Sequence, residues 1–200
     1  EVTLLENSLN LVSKLGIEKV LINTFHLGHK IKSFVSNNNY NLKIEIYDDG
    51  QEILNTGGGI YNLIKKSNEE NFLILNPDTL WNINYVLFII KMEEIFFSEK
   101  SLNILLMTNK KKSFDKNLNG DFQLRLFKIN KDNNNYIYTG CQIINKSLFK
   151  NITKTKFSIN EIWNKLILED KLNGFESILE FYHVTDLGIY KKLSKLNKIF

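Results

Sequence analysis

Two short segments carry most of the chemistry this chain could do. Asn55-Thr56-Gly57-Gly58-Gly59-Ile60 is a glycine turn that opens a helical pattern. The apolar run Phe72-Leu73-Ile74-Leu75 stops in Asn76-Pro77-Asp78-Thr79-Leu80-Trp81. Glycine lets a ligand approach the backbone without a side-chain clash. A helix beginning at Ile60 would leave free amides and a dipole that favour an anion or an acceptor-rich base edge; the alternative is a flexible loop. Asp78 ends what reads as a central strand, and in open α/β sheets ligands bind beyond the carboxyl ends of the strands. A carboxylate there can coordinate Mg²⁺, which takes oxygen ligands and keeps substrate phosphates and water in its shell. The alternative is a turn or N-cap aspartate. Taken together, the segments suggest one site, with amides that accept a nucleotide and an acid that holds a divalent metal against its phosphates.

Other reactive side chains point less clearly to chemistry. Cys141 is the only cysteine and lies in an apolar strand-like run, which reads as a buried thiol in a reducing, cytoplasmic compartment. His26 and His29 are three residues apart at a helix start, with no acid or cysteine cluster to complete a metal site. Trp81 and Trp163 read as core or pocket wall. The net charge of +4 is spread along the chain, and the basic run Lys110-Lys111-Lys112 is short and lacks interleaved aromatics. Arg125 is the only arginine and alanine is absent, a composition bias rather than a nucleic-acid signature. No apolar run reaches the ~18 residues that span a bilayer, and no signal peptide is visible.

The elements that would position these residues follow from periodicity. Apolar content of 43% and charged content of 24% fit a soluble globular chain with a sizeable core. Thr3-Leu4-Leu5-Glu6 has capping-box spacing, and Leu5, Leu9 and Val12 continue at helical period. Strands are expected at 19–23, 42–47, 72–75 and 102–107, with helices at 26–35, from Ile60, and at 83–97. That alternation predicts an α/β doubly wound, mostly parallel, Rossmann-like sheet with right-handed crossovers. Beyond it, 122–127 and 136–144 read as an antiparallel hairpin turning at 131–135. A helix through Ile159, Ile162, Trp163 and Leu166 follows, then a short strand at 181–184 and a final helix at 187–196. One domain over 1–200 is expected, its nucleotide-binding portion at 1–110 and the rest at 111–200.

Several segments in this order resemble the sugar-1-phosphate nucleotidyltransferases, in particular the branch of the N-acetylmuramate-1-phosphate uridylyltransferases. Asn23-Thr24-Phe25-His26-Leu27 is similar to that family's Asn-Thr-His-His-Leu, and Asn55-Thr56-Gly57-Gly58-Gly59-Ile60 to its Glu-Thr-Gly-Gly-Gly-Ile. Asn76-Pro77-Asp78 resembles its Asn-Gly-Asp, and Gly120-Asp121-Phe122 its Gly-Asp-Phe. Tyr138-Thr139-Gly140 resembles its Phe-Thr-Gly, and Phe157-Ser158-Ile159-Asn160 its Phe-Ser-x-Asn. The resemblance implies a nucleotide held by Asn55, Thr56, Gly57, Gly58, Gly59 and Asn76. It implies a catalytic Asp78 binding Mg²⁺, and a sugar side formed by Thr139, Gly140, Asn160 and His183. The implied reaction joins a sugar-1-phosphate to a nucleoside triphosphate, UTP first, with release of pyrophosphate, as in nucleotide-sugar supply to the cell wall. GTP and dTTP donors, as in mannose-1-phosphate guanylyltransferase or glucose-1-phosphate thymidylyltransferase, share the pattern. No nucleic-acid or membrane partner is implied.

The chain departs from that pattern in four places. The family's glycine-rich loop with an arginine and a Pro-Lys segment, which grips the triphosphate, has no match. The resemblance starts at the family's first long helix, and the text opens on Glu1 rather than Met. An N-terminally truncated enzyme and a non-catalytic nucleotide-sugar-binding relative are both compatible with this. Asn55 replaces an acid and Pro77 a glycine. Where the family carries a second metal-binding aspartate, His183-Val184-Thr185-Asp186-Leu187-Gly188 places a histidine, with Asp186 three residues on. Imidazole is a poor Mg²⁺ ligand. Asp186 therefore stands as the alternative second metal ligand, or as the N-cap of the last helix.

Overall fold

The structure is a computed structural model that describes residues 2–196. Glu1 lies outside the described residues. Through the first half, strand and helix alternate as the periodicity predicts. The elements are α1 (Leu4–Val12), β1 (Lys19–Thr24), α2 (Gly28–Ser36), β2 (Lys43–Asp48), α3 (Asn55–Ile64), β3 (Asn71–Leu75), α4 (Tyr85–Ser98) and β4 (Asn103–Asn109). The capping box forms: the Thr3 hydroxyl accepts from the Glu6 amide, and the Glu6 carboxylate accepts from the Thr3 amide. α3 starts at Asn55, earlier than expected, so the three glycines lie inside its first turns rather than ahead of it.

The second half is β5 (Gln123–Arg125), β6 (Lys128–Asn130), β7 (Tyr136–Asn145), α5 (Asn160–Leu168), β8 (Asn173–Ser177) and α6 (Leu187–Lys195). The predicted hairpin is placed differently. The tight turn is Leu126-Phe127, both at positive φ, joining β5 to β6. β7 pairs with β3 and β4 instead, and touches the earlier segment only through a Phe122–Tyr136 bridge. The expected strand at 181–184 is reduced to isolated bridges at Phe181 and His183, and β8 was not anticipated.

The α/β architecture holds, with mixed strand pairing. β1 and β2 form a parallel pair, and the larger sheet runs β3-β7-β4-β8-β6-β5. β7 lies antiparallel between β3 and β4, while β4 and β8 are parallel. β4 is buried on both faces. Ile104 and Leu106 meet Tyr85, Ile89, Met92 and Phe96 of α4. Leu105 and Met107 meet Ile162, Trp163 and Leu166 of α5. Alternate residues of one strand thus serve two helical layers, as a period of two requires.

Candidate active site

The site is built where β3 ends beside an irregularity in β7. β4 and β7 pair as Leu105 with Gln142 and Met107 with Tyr138, so β7 spends extra residues there. Gly140, at φ +89°, is in this bulge, a conformation that favours glycine. A Cβ on Gly140 would come within 2.8 Å of Asn76 Cβ, which adds a steric reason for glycine. The Thr139 hydroxyl ties the bulge down by donating to the Leu106 carbonyl at 2.8 Å. The Asn76 amide donates to the Gly140 carbonyl and the Thr79 hydroxyl to the Thr139 carbonyl, both at 2.8 Å. The chain leaving β3 is therefore fastened to the bulge on either side of Asp78.

A second fastening comes from the segment before α6. The Leu80 amide donates to the Tyr182 carbonyl and the Val184 amide to the Asp78 carbonyl. These bonds set His183 against Asp78, with Nδ1 3.7 Å from Oδ1, beyond hydrogen-bonding distance. Both atoms are buried and have no hydrogen-bond partner among the described residues. The His183 ring stacks on Phe181. Asp186 is not part of this pair. Its Oδ1 accepts from the Ile189 amide at 2.8 Å and caps α6.

The start of α3 supplies the third wall. Amides in the first turn of a helix need acceptors, and here the chain supplies its own. Gly57 and Gly58 both donate to the Phe157 carbonyl, at 3.0 and 3.1 Å. The Ile159 amide donates to the Thr56 hydroxyl at 3.1 Å. A Cβ on Gly57 would strike the Phe157 ring, and one on Gly58 the Thr155 carbonyl. The expectation of free amides at Gly57 and Gly58 is thus corrected: the residues leading into α5 take them, and the glycines make room for that segment. Gly59 packs on the Asn23 side chain of β1. Asn55 is exposed and adopts φ +60°.

Between these parts lies a cleft of about 290 Å³. Thr56 and Ile60 of α3 and Asn76 after β3 line one side. Tyr138 and Gln142 of β7, with Asp121, line another, and Ser158, Asn160 and Trp163 close it. Thr56 and Ile60, which flank the glycines, and Asn76 after β3 therefore converge on one cavity, while Gly57, Gly58, Gly59 and Asp78 do not line it. Asp78 lies two residues beyond the cleft residue Asn76, and the Thr79 hydroxyl next to it donates to the carbonyl of Thr139, the neighbour of Tyr138. The protein mass around Asp121 raises its pKa above the usual carboxylate value, opposed by a 2.9 Å bond from the Tyr138 amide and by His183. Burial drives the Tyr138 phenol well above its ordinary value, so it stays neutral.

Of the residues expected on the sugar side, Asn160 lines the cleft, whereas the Thr139 side chain is only 1% exposed and its hydroxyl is committed to Leu106. The Thr139 hydroxyl is thus a strut of the bulge. Asp121, Tyr138 and Gln142 were not anticipated as cleft residues, whereas Trp163 takes the pocket-wall place that was one of its two expected readings. A similar depression, about 300 Å³, lies beside Gly58, Tyr61 and Lys65. Of its two carboxylates, Asp49 and Glu52, the first is already satisfied by the Asn23 and Asn62 amides. The cleft at β7 keeps the unpartnered Tyr138 hydroxyl and is the better candidate. Among the described residues no three His, Cys, Asp or Glu side chains form a metal cluster, and no helix is long and apolar enough to cross a membrane.

Fold and cleft together define an α/β protein with a candidate ligand cleft beside the carboxyl end of β3. No protein-family model matches the chain. It is 30% identical over 195 residues to the D-glycero-alpha-D-manno-heptose 1-phosphate guanylyltransferase of Aneurinibacillus thermoaerophilus, covering 92% of this chain and 80% of that protein. In three dimensions it resembles HddC from Yersinia pseudotuberculosis complexed with GMP-PN. The TM-score is 0.72 at 18% identity, over 98% of this chain and 88% of the other. It also resembles UDP-glucose pyrophosphorylase complexed with UDP-glucose, with a TM-score of 0.76 at 12% identity over 98% and 86% of the two chains. The chain belongs to the sugar-1-phosphate nucleotidyltransferase family.

Proposed function

We propose that this protein transfers a nucleotidyl group from a nucleoside triphosphate to a sugar-1-phosphate at the β7 cleft. The phosphate oxygen of the sugar attacks the α-phosphorus, the bond to the leaving phosphates breaks, and pyrophosphate departs. The nucleophile is already anionic, so no general base is required. Catalysis then rests on positioning and on charge neutralisation. The observation that carries this reading is the convergence of α3, the end of β3 and β7 on one cavity in a chain of this family.

Asp78 is the residue that would hold a divalent cation. Its buried, unpartnered Oδ1 suits a hard ion that prefers oxygen. One carboxylate alone leaves the remaining positions to water and substrate phosphate, where such an ion would offset phosphate charge. His183 offers a nitrogen donor to phosphate beside it, and Asp186 is left to its cap. Asn160, Asn76 and Thr56 contact substrate from the cleft walls, and Gly140 keeps the bulge open next to Asn76.

The guanylyltransferase relative supports GTP as donor. UTP, with a cell-wall sugar as acceptor, is the second reading and is favoured by the motif resemblance of 55–60 and 157–160. The test is pyrophosphate release by the protein at its natural length, with each of the four nucleoside triphosphates and a panel of sugar-1-phosphates. Release with one donor at turnover above ~1 per second, an ordinary enzymatic value, supports transfer. Binding of a nucleotide-sugar without release under any pairing would make the protein a non-catalytic binding module instead.

A further inference from the structure

Two polar groups in the cleft are placed by the fold yet left without work. Gln142 is 1% exposed, and its Oε1 accepts two bonds, from Asn103 Nδ2 at 3.0 Å and Trp163 Nε1 at 3.2 Å. An indole N–H can only donate, so the carboxamide oxygen must face Trp163. That fixes the orientation of the amide and turns its NH₂ group away from both partners. The Tyr138 hydroxyl oxygen is buried without a hydrogen-bond partner. The Gln142 amide stands beside it as a donor without closing a bond of normal geometry. The Tyr138 ring is locked edge-on against Trp163, centroids 4.9 Å apart. Both side chains line the cleft. Buried polar groups are nearly always satisfied, and an orphan beside a cavity calls for an explanation.

We propose that the Gln142 amide and the Tyr138 hydroxyl are specificity residues that together grip one hydroxyl oxygen of the sugar ring. The amide N–H donates to that oxygen. The phenol can both give and take a proton bond, so it matches a hydroxyl, which does the same. The substrate class is then a sugar-1-phosphate bearing a free hydroxyl at one defined ring position, and its deoxy analogue is rejected because both protein groups are left unpaired. This rests on the reading that the cleft receives the sugar.

The test compares the natural-length protein with Tyr138→Phe, using pyrophosphate release on the preferred sugar-1-phosphate and its monodeoxy analogues. The expected result is a loss of ~10-fold or more in kcat/KM with the parent sugar, the worth of a typical hydrogen bond, and no loss with one particular deoxy analogue. The thermal midpoint should stay level or rise, since the variant removes an unsatisfied hydroxyl. Gln142→Glu keeps the acceptor for Trp163 and should show the same position-specific pattern. An equal loss with every analogue, no loss with any, or a lowered midpoint in Tyr138→Phe would overturn the proposal while leaving the transferase reading intact. If the unaltered protein turns over no sugar-1-phosphate at all, it is the transferase reading that fails.

Discussion

Asp78 owes its position to backbone rather than side-chain contacts. Its carbonyl accepts from Val184, while its Oδ1 meets no donor. Replacing it should therefore alter chemistry far more than folding. Asp78→Asn is expected to lower the rate of pyrophosphate release by at least ~10²-fold, as loss of charge stabilisation at the phosphates would, with an unchanged denaturation midpoint. Near-normal turnover would remove Asp78 from the mechanism. Asp186 makes the opposite case. Asp186→Ser preserves an N-cap oxygen, so stability should hold within a few tenths of a kcal/mol and turnover within a few-fold, whereas Asp186→Ala should cost about 1 kcal/mol. A collapse of turnover in Asp186→Ser would return Asp186 to the metal site. The place of Asp78 just past the end of β3 was legible in the sequence because the apolar run 72–75 stops shortly before it. Tyr138 and Gln142 were not, because within Tyr136-Ile137-Tyr138-Thr139-Gly140-Cys141-Gln142-Ile143-Ile144 they read as ordinary strand residues. The available signal was Gln142 itself, an amide in a run otherwise fit for a core.

At the scale of elements, the β7 bulge sets the site. Without its extra residues, Tyr138 and Gln142 would follow plain alternation and Gly140 would not meet Asn76. The Thr139 hydroxyl anchors the bulge to the Leu106 carbonyl of β4. Thr139→Val should destabilise the protein by about 1–2 kcal/mol, since it strands a buried carbonyl. It should also raise KM for the sugar, because the cleft wall loosens with the bulge. Equilibrium denaturation and steady-state kinetics check the two effects separately, and an unchanged stability would contradict the anchoring role. The helices and first four strands were legible from period alone. The hairpin was not, because its turn, Leu126-Phe127, uses two positive-φ residues where Asn-Gly would have announced it. β8 was hidden for a related reason. Asn173-Gly174 reads as a turn, yet Gly174 sits in a strand because Ile129 and Leu124 side chains occupy the space of its missing Cβ, 2.8–2.9 Å away. The glycines of α3 misled in the same way. Glycine marks close approach, but the sequence does not say whether the visitor is a ligand or, as here, Phe157 and Thr155.

The whole molecule shows a division of labour between its sheets. The large sheet, clasped by α4 and α5, carries the buried core and places Cys141 at its centre, where burial pushes the thiol far up and leaves it inert. The β1–β2 pair shares no strand ladder with the large sheet among the described residues, and α3 bridges it to the cleft through Gly59 and Asn23. A ligand held between α3 and β7 would thus join both parts. The most direct measurement is a crystal structure of the protein with a bound nucleotide-sugar. The sugar ring should lie against Tyr138, Gln142 and Asn160, with its phosphates beside Asp78 and His183. A nucleotide-sugar seated instead in the depression beside Asp49, Tyr61 and Lys65 would contradict the site described above.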